Sequence, residues 1–377
     1  MANQYDIVIV GGGFVGLCLA HLLENTGLKI LIVERNSLTK MFDPALDNRG
    51  IALSTTSCNL LHELNLPAKL YDPDSRINKV HVSIKGLFGL VNIQGVDELG
   101  YVVDSAKLGQ ALLTGFSNVT ILENTSIENL HYSIDSQQWS FNLQAQQYSA
   151  KLLVGADGVN SLVRKTLKID NHQLFADHTA LVCNLEIMHE HGGIAYQRFI
   201  DNKVLALLPF GSKRLKCVLT FPDYLRSNLE LSDIEYIHMV QNLIGNRVKI
   251  LNITARICYP ASQSRSQEII AHHAVLIGNA ANALSPIAAQ GLNLGLRDVA
   301  VLAQLITNHG LDDLRNLLIN YARKRALDHV RTSNFTKNIH KYMVNNSCKA
   351  TKAAALMALE LQPWFKRQIV QLSGGLA

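Results

Sequence analysis

Three glycines, Gly11, Gly13 and Gly16, stand in the spacing Gly-x-Gly-x-x-Gly, and Glu34 follows eighteen residues after the last of them. This spacing suits the pyrophosphate of a dinucleotide. Gly11 permits a tight turn, Gly13 lets the backbone approach the phosphates, and Gly16 lets a helix lie close on a strand. Phe14 and Val15, inside the triplet, open that helix. Its free N–H groups and positive dipole end would face the phosphates. Glu34, with Arg35 beside it, ends the next apolar run, where a carboxylate accepts hydrogen bonds from an adenosine ribose. A glycine triplet alone does not separate FAD from NAD.

Two later segments add donors and acceptors. Gly155-Ala156-Asp157-Gly158-Val159-Asn160-Ser161 precedes Arg164, and Asp157 can fix backbone N–H groups in a turn. Gly278-Asn279-Ala280-Ala281 leads through Pro286 to Gln290, Gly291, Leu292, Asn293 and on to Arg297-Asp298. No nucleophile or acid–base pair stands out, so no catalytic residue is assigned. His62 and His81 read as structural. His272 and His273 are adjacent, which predicts opposite faces of a strand and no metal site.

The elements that must position these turns are legible in the periodicity. Residues 5–10, 29–34, 151–154 and 274–277 are short apolar runs of the kind found in buried parallel strands. A helix is expected from Val15 to Thr26, ended by Gly27, and others at 104–116, 234–244 and from 313 onward. Alternation at Val80, Val82 and Ile84, and strand-like stretches at 180–187, 195–200, 204–208 and 217–221, predict a second, sheet-rich region. The fold class is thus α/β: a Rossmann-type dinucleotide-binding domain interleaved with a mostly antiparallel β-sheet domain, with a helical C-terminus. The expected division assigns 1–78, 101–175 and 268–320 to the first domain and 79–100 and 176–267 to the second. It assigns residues 321–377 to C-terminal helices.

Composition fits a globular chain: 48% apolar and 17% charged residues over 377 positions exclude disorder. No apolar run reaches the ~18 residues of a spanning helix, and the N-terminus lacks signal-peptide features, so a cytoplasmic location is expected. The six scattered cysteines form no Cys-x-x-Cys pair, which predicts buried reduced thiols and no metal. Residues 313–377 hold eleven Lys or Arg against three acids. That asymmetry suits peripheral contact with an anionic inner membrane or an acidic partner such as a biosynthetic complex, and equally a solvated helix face, and the absence of interleaved aromatics argues against nucleic acid.

Taken in order, the three motifs resemble those of the para-hydroxybenzoate-hydroxylase-like (group A) flavoprotein monooxygenases over roughly residues 5–345. The Gly-Asn-Ala-Ala variant, Asp47-Asn48-Arg49-Gly50-Ile51-Ala52-Leu53, Val80-His81-Val82-Ser83 and Leu205-Ala206-Leu207-Leu208-Pro209 are similar to its ubiquinone-biosynthesis branch, the 2-polyprenyl-6-methoxyphenol hydroxylase type. The resemblance implies FAD as cofactor, NADH or NADPH as transient co-substrate, and O2 consumed in hydroxylating a polyprenylated phenol. It places Arg49, Asp157, Asn279, Pro286, Gln290 and the N–H groups of Gly291, Leu292 and Asn293 at FAD, and Leu205, Leu207 and Pro209 beside the substrate. An Arg often meets FAD from the helix near 105–110, and here Gln110 is the polar candidate. Asn279 departs from the family's usual Asp, Asn282 from a common His, and Ala289 from a usual Gly. Two other readings remain at this point: an FAD oxidoreductase of prenyl-reductase type, and a catalytically weak FAD-bound subunit of a biosynthetic complex.

Overall fold

The structure, a computed structural model, describes residues 3–45, 49–87, 90–94, 98–175, 177–339, 341 and 352. Its first sheet is built from the four apolar runs. Strand Asn3–Val10 lies between Gln146–Gly155 and Ile30–Val33, parallel to both. Val119–Leu122 pairs with the outer side of Ile30–Val33, and Ala274–Leu276 with that of Gln146–Gly155. The buried stretches of these runs, residues 7–10, 30–33, 152–154 and 274–276, are apolar throughout because both faces are covered. Ile7 and Ile9 point to the helices Phe14–Leu23 and Gly291–His309, while Val8 and Val10 meet Trp139 and Phe141 of an antiparallel hairpin. Gly27, at φ +75°, ends the first helical stretch as expected.

The second sheet alternates as its sequence does. Its strands follow the order Ile250–Ile253, His178–Ile187, Arg214–Pro222, Lys203–Pro209, Ile194–Ile200, Lys79–Ile84, Leu90–Gln94. All are antiparallel except Lys79–Ile84, which runs parallel to Ile194–Ile200. Helix Asp233–Ile244, started by a Ser232–Glu235 capping box, buries Tyr236 and Val240 against one face of this sheet. The other face looks toward the first domain. A short sheet of Gly50–Ser54, Gly100–Asp104 and Arg76–Ile77 lies at the join.

Several expectations need correction. His272 and His273 do not sit in a strand. They form the two-residue turn of a hairpin, with φ of 44° and 52°, as a type I′ turn demands. No group of metal-ligating side chains occurs among the described residues. Cys258 is exposed, while Cys18, Cys58, Cys183 and Cys217 are buried. The helix Thr55–Glu63 was not expected: its sequence is polar, and Ser54, whose hydroxyl accepts from Ser57 N, starts it. The apolar and basic stretch 353–372 lies outside the described residues.

Candidate functional site

The three turns meet at the carboxyl ends of the parallel strands, where open α/β sheets bind ligands. Gly11, at φ +111°, packs so tightly on the second turn that a Cβ there would lie 2.4 Å from Ala156 O. A Cβ at Gly16 would lie 2.1 Å from Gly11 O. The third turn docks on Val15, whose methyls would be 2.8 Å from a Cβ at Gly295 and 3.1 Å from one at Gly278. Arg164 bridges the second and third turns, donating to Val159 O and Ala280 O at 2.6 and 2.8 Å. Burial lowers the Arg164 pKa.

Other sequence-nominated residues hold this frame in place. Glu34 Oε2 accepts from Gly12 N at 2.9 Å, and Oε1 accepts from Asn36 N, so the carboxylate pins the glycine turn. Arg35 is exposed. Asp157 Oδ2 accepts from Leu162 N and Val163 N, capping the short helix Leu162–Thr166. Gln110 is exposed and donates to Phe42 O at 3.1 Å. The carboxamide of Asn293 is wholly engaged. It accepts from Ser54 N and donates to Ala52 O and Ala289 O, stitching the start of helix Gly291–His309 to strand Gly50–Ser54.

A cavity of about 740 Å³ opens from these turns. Gly13, Phe14, Val15, Arg49, Asn279, Pro286, Gln290, Gly291, Leu292 and Asn293 line it. Glu34, Arg35, Gln110 and Asp157 are not among its lining residues. The cradle has the properties an FAD would need. The Cβ position of Gly13 has no heavy atom within 4 Å. Gln290, 6% exposed, buries a side-chain oxygen with no hydrogen-bond partner among the described residues. Helix Gly291–His309 begins at the cavity without a side-chain cap, so its first N–H groups have no side-chain acceptor and suit an anionic group. Arg49, whose guanidinium stacks 4.8 Å from the Tyr259 ring centroid, is the sole charged lining residue among those described.

A family profile described as an FAD binding domain matches residues 4–332, most of the chain. The chain belongs to this FAD-binding family. It is 28% identical over 398 residues to ubiquinone hydroxylase UbiM of Neisseria meningitidis, covering 99% of this chain and 86% of that one. It is 27% identical over 323 residues to 3-demethoxyubiquinol 3-hydroxylase of Escherichia coli, covering 82% and 81%. Among solved structures, Pseudomonas aeruginosa PqsL, described as a probable FAD-dependent monooxygenase, superposes with TM-score 0.77 at 19% identity, covering 94% of this chain and 100% of that one. That likeness establishes the fold.

Within the FAD-binding frame, the wall opposite the cofactor cradle corrects one expectation by a single residue of register. Leu205 and Leu207 are fully buried on the face of the sheet that packs on helix Asp233–Ile244. Their neighbours Ala206 and Leu208 line the cavity, and Pro209 does not. A strand presents alternate residues to opposite faces, so choosing the bulkier pair chose the core side. Leu205→Ala should therefore cost about 2–5 kcal/mol of stability, read by denaturant unfolding, and leave substrate preference alone.

No histidine lines the cavity among the described residues. His81 points to the other face, 5.6 Å from the Tyr196 ring, and His62 stacks on Tyr71 at 4.4 Å. Ala289 stands at φ +51°, a left-handed conformation that strains a side chain with a Cβ. Ala289→Gly should raise stability by about 0.5–1 kcal/mol, seen as a higher Tm of the FAD-bound protein.

Sequence reading missed the network behind the third turn. Asp298, fully buried, accepts from Gly278 N at 3.0 Å, Arg325 Nε at 2.7 Å and His329 Nε2 at 2.6 Å. Arg325 also meets Asp328, which takes Arg297 as well. Burial raises the Asp298 pKa, but His329 and Arg325 outweigh it and hold the carboxyl below its usual range. The Arg297-Asp298 pair was visible in the sequence. Its partners, some thirty residues on, were not.

Proposed function

We propose that this chain is an FAD- and NAD(P)H-dependent monooxygenase that hydroxylates the aromatic ring of a polyprenylated phenol in ubiquinone biosynthesis, consuming O2. The observation that carries the reading is the composition of the cavity. One end is the FAD cradle, and the rest is walled by residues such as Val80, Val82, Val182, Ala206, Leu208 and Val218. No Asp, Glu, Lys or His lines it among the described residues. Hydrolysis or acid–base chemistry would need such groups, whereas FAD, when bound, supplies the redox and oxygen chemistry itself.

The protein's own contribution is position and dryness. The N–H groups of Gly291 and Leu292 hold negative charge at the cofactor, Arg49 adds a cation beside it, and the apolar wall keeps water from the ring. Asn279 faces the cavity as an uncharged hydrogen-bonding group. The chain has a single Gly-x-Gly-x-x-Gly, so the nicotinamide nucleotide binds transiently, without a Rossmann unit of its own.

No helix among the described residues is long and apolar enough to cross a membrane. Peripheral membrane contact, or contact with a biosynthetic complex, runs through the basic C-terminal region. Of its charges Arg325 is excluded, being 4% exposed and held by Asp298 and Asp328.

The test is oxidation of NAD(P)H by the purified FAD protein with and without a prenylated phenol, under isotopically labelled O2. The proposal expects stimulation by the phenol and one labelled oxygen on the ring. NAD(P)H oxidation that never labels the ring would refute it. A weak FAD-bound subunit would show neither.

A further inference from the structure

The cavity's two ends differ in chemistry. Arg49, Asn279 and Gln290 mark the FAD end. At the other end Val82, Val91, Ile93, Phe199, Phe335 and Ile339 line the wall with no hydrogen-bonding side chain among them. Gln197 also lines the cavity, but its amide N–H already donates to Ile287 O at 2.8 Å. Val91, Phe199 and Ile287 are buried in one cluster, on which Val82, Ile93 and Ile339 pack while partly exposed.

Phe335 and Ile339 are four residues apart near the end of helix Leu314–Ile339, so they share one face. Both are half-buried and both line the cavity. Ile339 therefore belongs to the cavity wall and to the molecular surface at once. The charges around this end are mixed, with Lys85, Lys203 and Asp201 near one another. Lys85 follows Ile84 and Lys203 precedes Val204, both members of the same cluster, while exposed Lys337, two residues before Ile339, lies on the side of the helix away from Phe335 and Ile339.

An aromatic ring needs little of this apolar length, and a branched hydrocarbon gains by leaving water for it. We propose that the Phe335–Ile339 turn, with Val91 and Phe199 opposite, is the port through which the substrate's isoprenoid tail leaves the cavity. These side chains set which tails are accepted. The inference rests on the hydroxylase reading for the identity of the ring.

The test compares one methoxyphenol with and without a three-unit isoprenoid tail. Dissociation constants are read from the perturbed flavin absorbance of the FAD-bound protein, beside kcat/KM for NAD(P)H oxidation. In Ile339→Trp, which fills the port, the affinity ratio of tailed to tail-less phenol should fall about tenfold or more. Phe335→Ala, which removes apolar contact without blocking, should lower the same ratio and decides the matter if the tryptophan variant fails to retain FAD. Ratios that stay at the wild-type value in the variants overturn the port and leave the hydroxylase standing. Wild-type protein that binds both phenols but hydroxylates neither, with the ratio still sensitive to residue 339, overturns the hydroxylase and keeps the port.

Discussion

Gly13→Ala should fold as the wild type does and hold FAD about 10- to 100-fold less tightly, the equivalent of roughly 1–3 kcal/mol of crowding. The contrast with Gly16 makes this a sharp expectation. At Gly13 a methyl group meets no heavy atom of the protein within 4 Å, and it points into space lined by the cavity. Only a ligand can object to it. At Gly16 the methyl would stand 2.1 Å from a backbone oxygen, which no rotamer change relieves. Gly16→Ala should lose at least about 3 kcal/mol of stability whether or not FAD is present. Equilibrium unfolding of the two variants without cofactor, followed by FAD titration of whichever folds, separates the effects. Equal stability losses in both would mean that Gly13 has no ligand-facing role.

Removing the buried carboxylate in Asp298→Ala should cost about 3–5 kcal/mol, because Arg325, His329 and Gly278 N then lose a shared partner inside the protein. The damage should reach the cofactor, since Gly278 opens the turn that carries Asn279. The same network predicts the direction of acid sensitivity. Asp298 and Asp328 both titrate below their usual value of 3.8 when folded. For Asp328, as for Asp298, burial opposes the shift, and the arginines Arg297 and Arg325 overcome it. A lowered folded value means the stabilisation is present in full above the unfolded value and fades as pH falls through the folded one. Wild-type stability should drop below about pH 4, and the drop should be shallower in Asp298→Ala. Unfolding midpoints measured across that range check both slopes.

The parallel sheet was legible because its central strands are apolar on both faces. The first turn was legible because backbone contact at Gly11 and Gly16 leaves room for no other residue. Side-chain roles were harder. The spacing places Glu34 at a ribose; the fold adds that its oxygens hold Gly12 N and Asn36 N, with acceptor capacity left over. Nothing in a linear pattern shows that a carboxylate folds back on its own turn. Asn293 was nominated for its backbone N–H, while its carboxamide proved to be a clamp on a strand some 240 residues earlier. Gln110 matched a position in a pattern and sits outside the cavity lining, bonded to Phe42 O. In Leu205-Ala206-Leu207-Leu208, periodicity gave the alternation without its phase, because phase depends on which face the helix Asp233–Ile244 covers. Phe335 and Ile339 could not be nominated at all, since only tertiary packing brings the end of a C-terminal helix to the cavity.

Titration of FAD into protein stripped of cofactor, followed by quenching of flavin fluorescence, tests most directly whether the turns at Gly11, Ala156 and Gly278 form one cradle. The account predicts saturation at one FAD per chain, a yellow product, and weakened uptake in Gly13→Ala. A folded protein that stays colourless at high FAD, or uptake indifferent to residue 13, would contradict it.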